Sequence, residues 1–207
     1  MKMPIAGLQS IKAEIDNSVL KDVRVELVRT FDQFQHAATV RSIAYIAGQS
    51  CPFEEEFDGN DFSASHLVAY LQGQPVATIR MRWFAGFAKL ERLCVVQGLR
   101  EKGVAKVIIA YALELAAKKG YQTVIAQIQS RLWEFWNRVV YCEKFTNRQE
   151  FSFSDYNYCE IEISVERHTE PITKWVDPYT LIRPEGYWDE PGVLDHSASR
   201  STTKRAA

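Results

Sequence analysis

Apolar residues alternate with polar ones in some stretches of the chain and recur at helical spacing in others. The switches between the two patterns lay out its elements. Residues 1 to 22 carry Ile5, Leu8, Ile11, Ile15 and Val19 at helical spacing, which predicts a weak amphipathic helix packed on the body of the protein or on a partner. "VRVELVR" at 23–29 predicts a first strand, after which Thr30 or Asp32 caps a helix running to about Gly48. "CPFEEEFDGNDFSAS" reads as a polar, acidic connection with room for a short helical turn. "HLVAYL" and "VATIRMRW" flank "QGQP", the sign of a strand–turn–strand hairpin, and another strand, roughly 88–96, follows the break at Gly86.

Over about 104–119, Val104, Val107, Ile108, Tyr111 and Leu115 form an apolar stripe. Ile109, Leu113 and several alanines make the other faces apolar too, so this helix is predicted to be well buried. "KKG" closes it: lysines complement the helix dipole, and Gly120 suits the left-handed position past the end. "TVIAQI" is a short continuous apolar run of the kind a central strand shows. Strand, buried helix and strand make a βαβ crossover, expected to be right-handed. A helix over 131–141 puts Leu132, Phe135, Trp136, Val139 and Val140 on one face. Two strands should follow, the second with Cys159, Ile161, Ile163 and Val165 alternating with Tyr158, Glu160, Glu162 and Ser164. Periodicity ends at about residue 167. "WVDPYTLIRPEGYWDEPGVLDHS" has too many aromatics for a solvated tail and is expected to lie across the body or a partner subunit; "SASRSTTKRAA" predicts disorder.

At 207 residues, 46% apolar and 25% charged, the chain fits one domain with extensions and a sizeable core. A net charge of −1 argues against a surface that coats nucleic acid. Cys51, Cys94, Cys142 and Cys159 lie far apart, with neither a zinc spacing nor a disulfide framework, so no metal and a reducing, cytoplasmic location are expected. The start lacks the apolar run of a signal peptide, and no stretch approaches about 18 apolar residues, so no membrane span is expected.

The chemistry turns on "LREKGVAK", residues 99–106. A loop with small residues at alternate positions, opening a helix after a strand, exposes backbone N–H groups that add to the helix dipole and make an anion site. Arg100, Lys102 and Lys106 supply charge for a diphosphate. The loop is neither a Walker A sequence nor a G-x-G-x-x-G fingerprint. Taken alone, it fits a plain strand-to-helix turn as well as a phosphate loop.

Its surroundings decide between the two. "LERLCVVQGLREKGVAKVIIAYALELAAKKGYQTVIAQIQ" resembles the central segment of the GNAT superfamily of acetyl-CoA-dependent N-acyltransferases. That family shows an apolar strand ending in L-x-V, then [QR]-x-x-G-x-[GA] at the start of a long helix; the matches are Leu93, Val95, Arg100, Gly103 and Ala105. "CPFEEEFDGND", "HLVAY" and "PVATIRMR" are similar to the segment that many small bacterial members carry earlier. "RLWEFWNRVVY" resembles their fourth helix, commonly F-[YW]-x-[KR]-x-G-F. The resemblance covers roughly 23–167, which implies an N-terminal extension over 1–22, an acyltransferase domain over 23–167 and a C-terminal extension over 168–207. The implied fold is α/β, with a mixed, mostly antiparallel central sheet of about seven strands, a βαβ crossover and flanking helices.

The resemblance also implies roles. Backbone groups of Leu93, Cys94 and Val95 would pair with the pantetheine arm of acetyl-CoA at a splay in the sheet. The N–H groups of Arg100, Glu101, Lys102, Gly103, Val104 and Ala105 would hold its pyrophosphate, with Lys106 beside them. An N–H near Cys94 or Val95 would stabilise the oxyanion as an amine attacks the thioester directly. An alkyl ammonium titrates near pH ~10, so a base is wanted. Glu91 lies on the same strand face as Val95 by simple alternation and is the candidate; a surface glutamate paired with Arg92 or Lys89 is the plainer reading.

Several positions depart from the family pattern. Trp136 stands where many members have a tyrosine that protonates the leaving thiolate, which makes nearby Tyr141 the substitute candidate, with a core role as the other reading. Val140 replaces a glycine. Glu101 replaces another and sets a negative charge beside the diphosphate unless its side chain faces solvent. Cys94 reads as a buried strand cysteine, since no histidine base is placed beside it. In the run Glu54, Glu55, Glu56, Asp58 and Asp61, the carboxylates either attract a cationic amine or form a solvated charge run; Glu55, Glu56, His66 and Arg80 are the candidate substrate-binding residues. The expected function is transfer of an acetyl group from acetyl-CoA to a primary amine of a small molecule or peptide, without a metal. The alternatives are a non-catalytic acyl-CoA-binding module and an N-acyltransferase with longer acyl donors; the aromatic tail leaves a homodimer open.

Overall fold

The computed structural model describes residues 18–146, 149–153 and 156–197. The predicted stripe Ile5–Ile15 and the final stretch 198–207 lie outside the described residues. The chain divides into two units, residues 1–171 and residues 172–207.

In the first unit, a helical turn α1 (Ser18–Lys21) leads into β1 (Val23–Leu27). The next helix, α2 (Phe31–Arg41), starts where the capping signal set it: the Thr30 hydroxyl accepts from the Gln33 N–H at 3.2 Å, and the Gln33 side chain accepts from the Thr30 N–H at 3.2 Å. Instead of ending, α2 widens into a π-helical stretch, Ser42–Ala47, stopped at Gly48. The acidic connection contains α3 (Phe53–Glu56) and a 3-10 turn, Asp61–Ser63. β2 (Ser65–Leu71) and β3 (Gln74–Phe84) form the expected hairpin, with Gln72 at φ 51° and Gly73 at φ 78°, both left-handed as a tight two-residue turn requires.

β4 (Phe87–Val95), α4 (Val104–Lys118) and β5 (Thr123–Gln129) make the crossover unit. A 3-10 turn, Ser130–Leu132, enters α5 (Trp133–Val139), and β6 (Cys142–Lys144), β7 (Phe151–Phe153) and β8 (Tyr156–Ser164) follow. One strand more appears here than the pattern predicted. β7 is three residues long, below the length at which alternation is legible, and it hangs on β8 through Phe151 stacked on Tyr158 at 6.1 Å.

The strands run in the order β1-β2-β3-β4-β5-β8-β6, with β7 also on β8. Every pairing is antiparallel except β4–β5, which α4 connects. Ala37 and Val40 of α2 pack on the face that carries Val68, Tyr70 and Cys94. The alternate β3 positions Ala77, Ile79 and Met81 are fully buried on the opposite face, where α4 contributes Val104, Ile108, Ile109, Ala112 and Ala116. Gly120, at φ 90°, closes α4 as expected.

Two irregularities of β4 shape the site. First, Arg80 of β3 pairs with Glu91 but Thr78 pairs with Cys94, so both Arg92 and Leu93 lie opposite Ile79, with Arg92 at φ 52°. This bulge resets the alternation. Glu91 shares a face with Cys94, Arg80 and Thr78, while Val95 faces the other way with Ala77; the expectation that Glu91 and Val95 share a face fails because of the extra residue. Second, β4 and β5 pair only at Ala88, Lys89 and Leu90 opposite Val124, Ile125 and Ala126. Beyond those residues the two strands part.

Among the described residues, the second unit has a short helix, α6 (Pro178–Ile182), capped by the Asp177 carboxylate on the Tyr179 N–H at 2.8 Å, and a 3-10 turn, Val193–His196. Arg183 ties its chain together, bonding the Trp188 carbonyl and the Asp195 carboxylate at 2.6 Å each.

Candidate active site

The gap between β4 and β5 presents backbone groups on one edge. The Val96 N–H bonds the Val76 carbonyl at 2.9 Å, so by ladder alternation the N–H and C=O of Val95 turn away from β3 and toward the gap. Two carbonyls of this segment are held by side chains. The Tyr45 hydroxyl donates to the Leu93 carbonyl at 2.6 Å, and Arg100 Nε donates to the Val95 carbonyl at 3.2 Å. Tyr45 sits in the π-helical stretch that extends α2, a distortion often found at functional sites. Burial, reinforced by Cys94 and Glu56, pushes its phenol well above the ordinary value, so it stays protonated. Sequence reasoning missed Tyr45; its only signal was one polar-tipped side chain inside the apolar run "SIAYIA". Burial also pushes the Cys94 thiol up to about 12, which fits an inert strand cysteine.

Past Val96, a 3-10 turn (Gln97–Leu99) leads into the loop. The Arg100 N–H closes that turn on the Gln97 carbonyl at 3.3 Å, so it is spent and does not belong with the anion donors where the sequence placed it. Glu101 is left-handed at φ 65° and exposed, Lys102 is exposed, and Gly103 is the N-cap of α4 at φ 86°. No side chain caps α4 and no acidic residue stands in its first turn, which leaves the first-turn N–H groups of Val104, Ala105 and Lys106 for an anion. A Cβ on residue 103 would lie 2.8 Å from Leu20 Cδ1. The backbone angle favours glycine there, and any larger residue would also have to displace the Leu20 side chain. The gap, the uncapped helix and the cationic loop together fit a coenzyme A thioester.

Behind the gap lies a buried ion network. Arg41 bonds Glu56 through Nε and the Glu56 carbonyl at 2.8 Å, and reaches Asp61 at 2.7 Å. Arg80 meets Asp58 at 2.7 Å, Asp61 at 2.8 Å and Glu91 at 2.6 Å. Arg92 reaches Glu56 at 3.1 Å and Asp58 at 3.2 Å, and Lys89 reaches Glu91 at 2.7 Å. Burial works against the Arg80 charge, but the hydrogen bonds it donates to Asp58 and Asp61 outweigh it and hold the guanidinium above its ordinary value.

This network changes the roles of four predicted residues. Glu91 is not available as a base: burial opposes its charge, but Lys89 and Arg80 outweigh that and hold its carboxyl below the ordinary value. Glu56 and Arg80 are 1% and 0% exposed and hold the fold rather than line a cleft. His66, 4% exposed, bonds the Asp61 carbonyl through Nε2 at 3.0 Å and packs edge-on against Phe34. Glu55 stays on the surface, its backbone carbonyl accepting from Arg92 at 2.6 Å. Tyr141 fails for a topological reason. It precedes Cys142, which is level with Ile163 and hence with Val124 at the start of β5, about 15 Å down the sheet from the gap. It is also 74% exposed. Trp136 is buried, as an apolar anchor of α5.

Acid should loosen the network. Burial opposes the charges of Asp58 and Asp61, yet Arg80 and the Asn60 N–H hold Asp58, and Arg41 and Arg80 hold Asp61, below the ordinary 3.8. Burial holds His66 below 6.5. For all these groups, and for Glu91, the unfolded chain binds the extra proton first, whereas burial raises the Glu56 carboxyl above 4.5 and offsets part of the loss. Stability present at pH 7 is therefore lost gently below pH 6.5 and steeply below about 4.5. Urea midpoints at pH 7, 5.5 and 4 check this; a flat series would contradict it.

Among the described residues, no group of three or more His, Cys, Asp or Glu side chains is placed to hold a metal, and no helix is long and apolar enough to cross a membrane. An open sheet whose one parallel pair parts beside an uncapped helix is the arrangement that the resemblance to acyl-CoA-dependent transferases implies. The sequence profile of the acetyltransferase (GNAT) family matches residues 31–139, more than half of the chain, and the chain belongs to that family. A Bacillus subtilis protein with a provisional acetyltransferase name is 30% identical over 116 residues, spanning 54% of this chain and 79% of that protein. The uncharacterized N-acetyltransferase YjcF of the same organism is 29% identical over 116 residues, spanning 56% of this chain and 83% of its own length. Among solved structures, an acyl-CoA N-acyltransferase from Pseudomonas aeruginosa superposes with a TM-score of 0.61 at 18% identity, covering 69% of this chain and 99% of that one, which shows the shared fold. The chain is an acyltransferase of the GNAT type.

Proposed function

We propose that the chain moves an acetyl group from acetyl-CoA to a primary amine of a small molecule or peptide. The observation that carries this reading is the parting of β4 from β5 after Leu90 and Ala126, beside the uncapped start of α4. The acyltransferase unit is taken as 23–167, with extensions over 1–22 and 168–207. A bound thioester supplies an activated acyl carbon with a thiolate leaving group. The chain's own residues do the rest. The Val95 N–H, turned into the gap, stabilises the oxyanion. The first-turn N–H groups of α4, with Arg100 and Lys102, hold the diphosphate. The amine enters as its neutral form, since Glu91 is committed to Arg80 and Lys89. The N–C bond forms, the C–S bond breaks, the amine's proton leaves to solvent, and the Tyr45 hydroxyl, turning from the Leu93 carbonyl, protonates the departing sulfur before recovering its own proton from water.

The test is calorimetric titration with acetyl-CoA, CoA and longer acyl-CoAs, followed by thiol release across an amine panel. Acetyl-CoA is expected to bind and turn over with at least one amine. Failure to bind any CoA species would sink the reading. Arg100→Glu is expected to weaken CoA binding about 10-fold or more, because it reverses a charge at the diphosphate and frees the Val95 carbonyl; unchanged affinity would remove Arg100 from the site.

A further inference from the structure

A shallow recess of about 270 Å³ lies where β5 ends and β8 begins, lined by Gln129, Ser130, Arg131, Tyr156 and Asn157. It is at the same end of the sheet as the gap, since β4 and β5 run parallel and both finish there. Among the described residues its lining contains one cation and no anion. Arg131 is fixed at two points: its Nε donates to Gln129 Oε1 at 2.9 Å, and its guanidinium lies over the Tyr156 ring at 5.5 Å. Gln129 is itself set by its bond to Gln49, at the end of the π-helical stretch, at 3.1 Å, and lies 3.5 Å from the Tyr158 hydroxyl. Arg131 forms no ion pair among the described residues. Glu150, whose carboxylate approaches Ser130, is already paired with Lys144 at 2.8 Å.

A guanidinium held through Nε and one ring face keeps its two terminal nitrogens for a planar anion, and a fork in fixed geometry matches a carboxylate in a bidentate way. The acidic run that the sequence offered as an amine attractor is largely consumed: Glu56, Asp58 and Asp61 are all paired with arginines. We propose that the recess holds a carboxylate of the acceptor, with Arg131 as the residue that selects it, so that the acceptor is an amino acid or peptide with a free carboxylate. This rests on the acyl-transfer reading and narrows its substrate.

The test compares alanyl-alanine with its C-terminal amide as acceptors for acetyl-CoA, in the wild type, in Arg131→Gln and in Arg131→Lys. The wild type is expected to favour the acid by about 10-fold or more in kcat/KM. Arg131→Gln should abolish that preference by raising KM for the acid alone, and Arg131→Lys should keep part of it. Equal use of acid and amide by the wild type, or a preference that survives Arg131→Gln, overturns the proposal. So does weaker binding of CoA to Arg131→Gln without a matching change for 3′-dephospho-CoA, which would assign Arg131 to a donor phosphate. Calorimetric titration with the dipeptide acid needs no turnover. Arg131-dependent binding of the acid by a chain that binds no CoA species would uphold the recess and defeat only the acyl-transfer reading.

Discussion

Replacing Arg80 by methionine is expected to destabilise the fold by about 3–5 kcal/mol, read as a lower urea midpoint with the slope unchanged. The stem of the side chain survives in Arg80→Met, so little apolar packing is lost. What disappears is the one cation that touches Asp58, Asp61 and Glu91 together. Asp61 is buried and the Glu91 side chain is 10% exposed, and a carboxylate so enclosed and left without its partner costs far more than the same pair contributed. Lys89 still neutralises one side of Glu91 and Arg41 one side of Asp61, which keeps the loss from being larger. Asp58→Asn provides the contrast. The Asp58 side chain is 28% exposed, so solvent screens its pairs and the cost should be nearer 1 kcal/mol. In Arg80→Met combined with Glu91→Gln, part of the loss should return, because the orphaned charge is gone. A wild-type midpoint for Arg80→Met would show that the network contributes nothing to holding β3, β4 and the acidic connection together.

Tyr45→Phe is expected to lower kcat about 100-fold while leaving CoA affinity nearly unchanged. The phenol is buried and fully protonated at neutral pH, and it is held at the β4 edge by the Leu93 carbonyl at 2.6 Å. Losing that bond should cost about 1 kcal/mol of stability, too little to account for such a rate loss. The discriminating measurement uses an acetyl thioester of an aromatic thiol, whose sulfur leaves without needing a proton. With that donor the variant and the wild type should react at similar rates. If the deficit persists, Tyr45 acts by positioning the strand edge; if kcat with acetyl-CoA is unaffected, the phenol has no part in the chemistry.

The order of elements was legible because each rests on a local pattern. The α2 cap, the Gln72–Gly73 turn, the apolar α4 and the glycine at 120 are all decided within a few residues. The β4–β5 crossover and the position of the cationic loop were legible for the same reason. The extra residue at Arg92 was not: alternation assumes a constant period, and only the pairing with β3 shows that the count slips by one. This slip turned Glu91 into the ion network. The network itself could not be read either, since Arg41, Asp61, Arg80 and Glu91 come from four separate elements. Tyr141 was chosen for its nearness in sequence to Trp136, a measure that ignores which end of the sheet a residue occupies. Tyr45 carried no motif and Arg131 only opened the stretch that resembles the fourth helix; both became visible through their partners.

The contact between Leu20 and Gly103 makes two positions far apart in the sequence a single steric unit. A methyl group at 103 has room only if residue 20 is smaller or turned aside. Substitutions at the two sites should therefore co-vary in size among relatives that keep α1, with the left-handed angle at 103 still favouring glycine whenever the space exists. The loop that precedes α4 is thus constrained by Leu20 of α1, a residue far earlier in the chain.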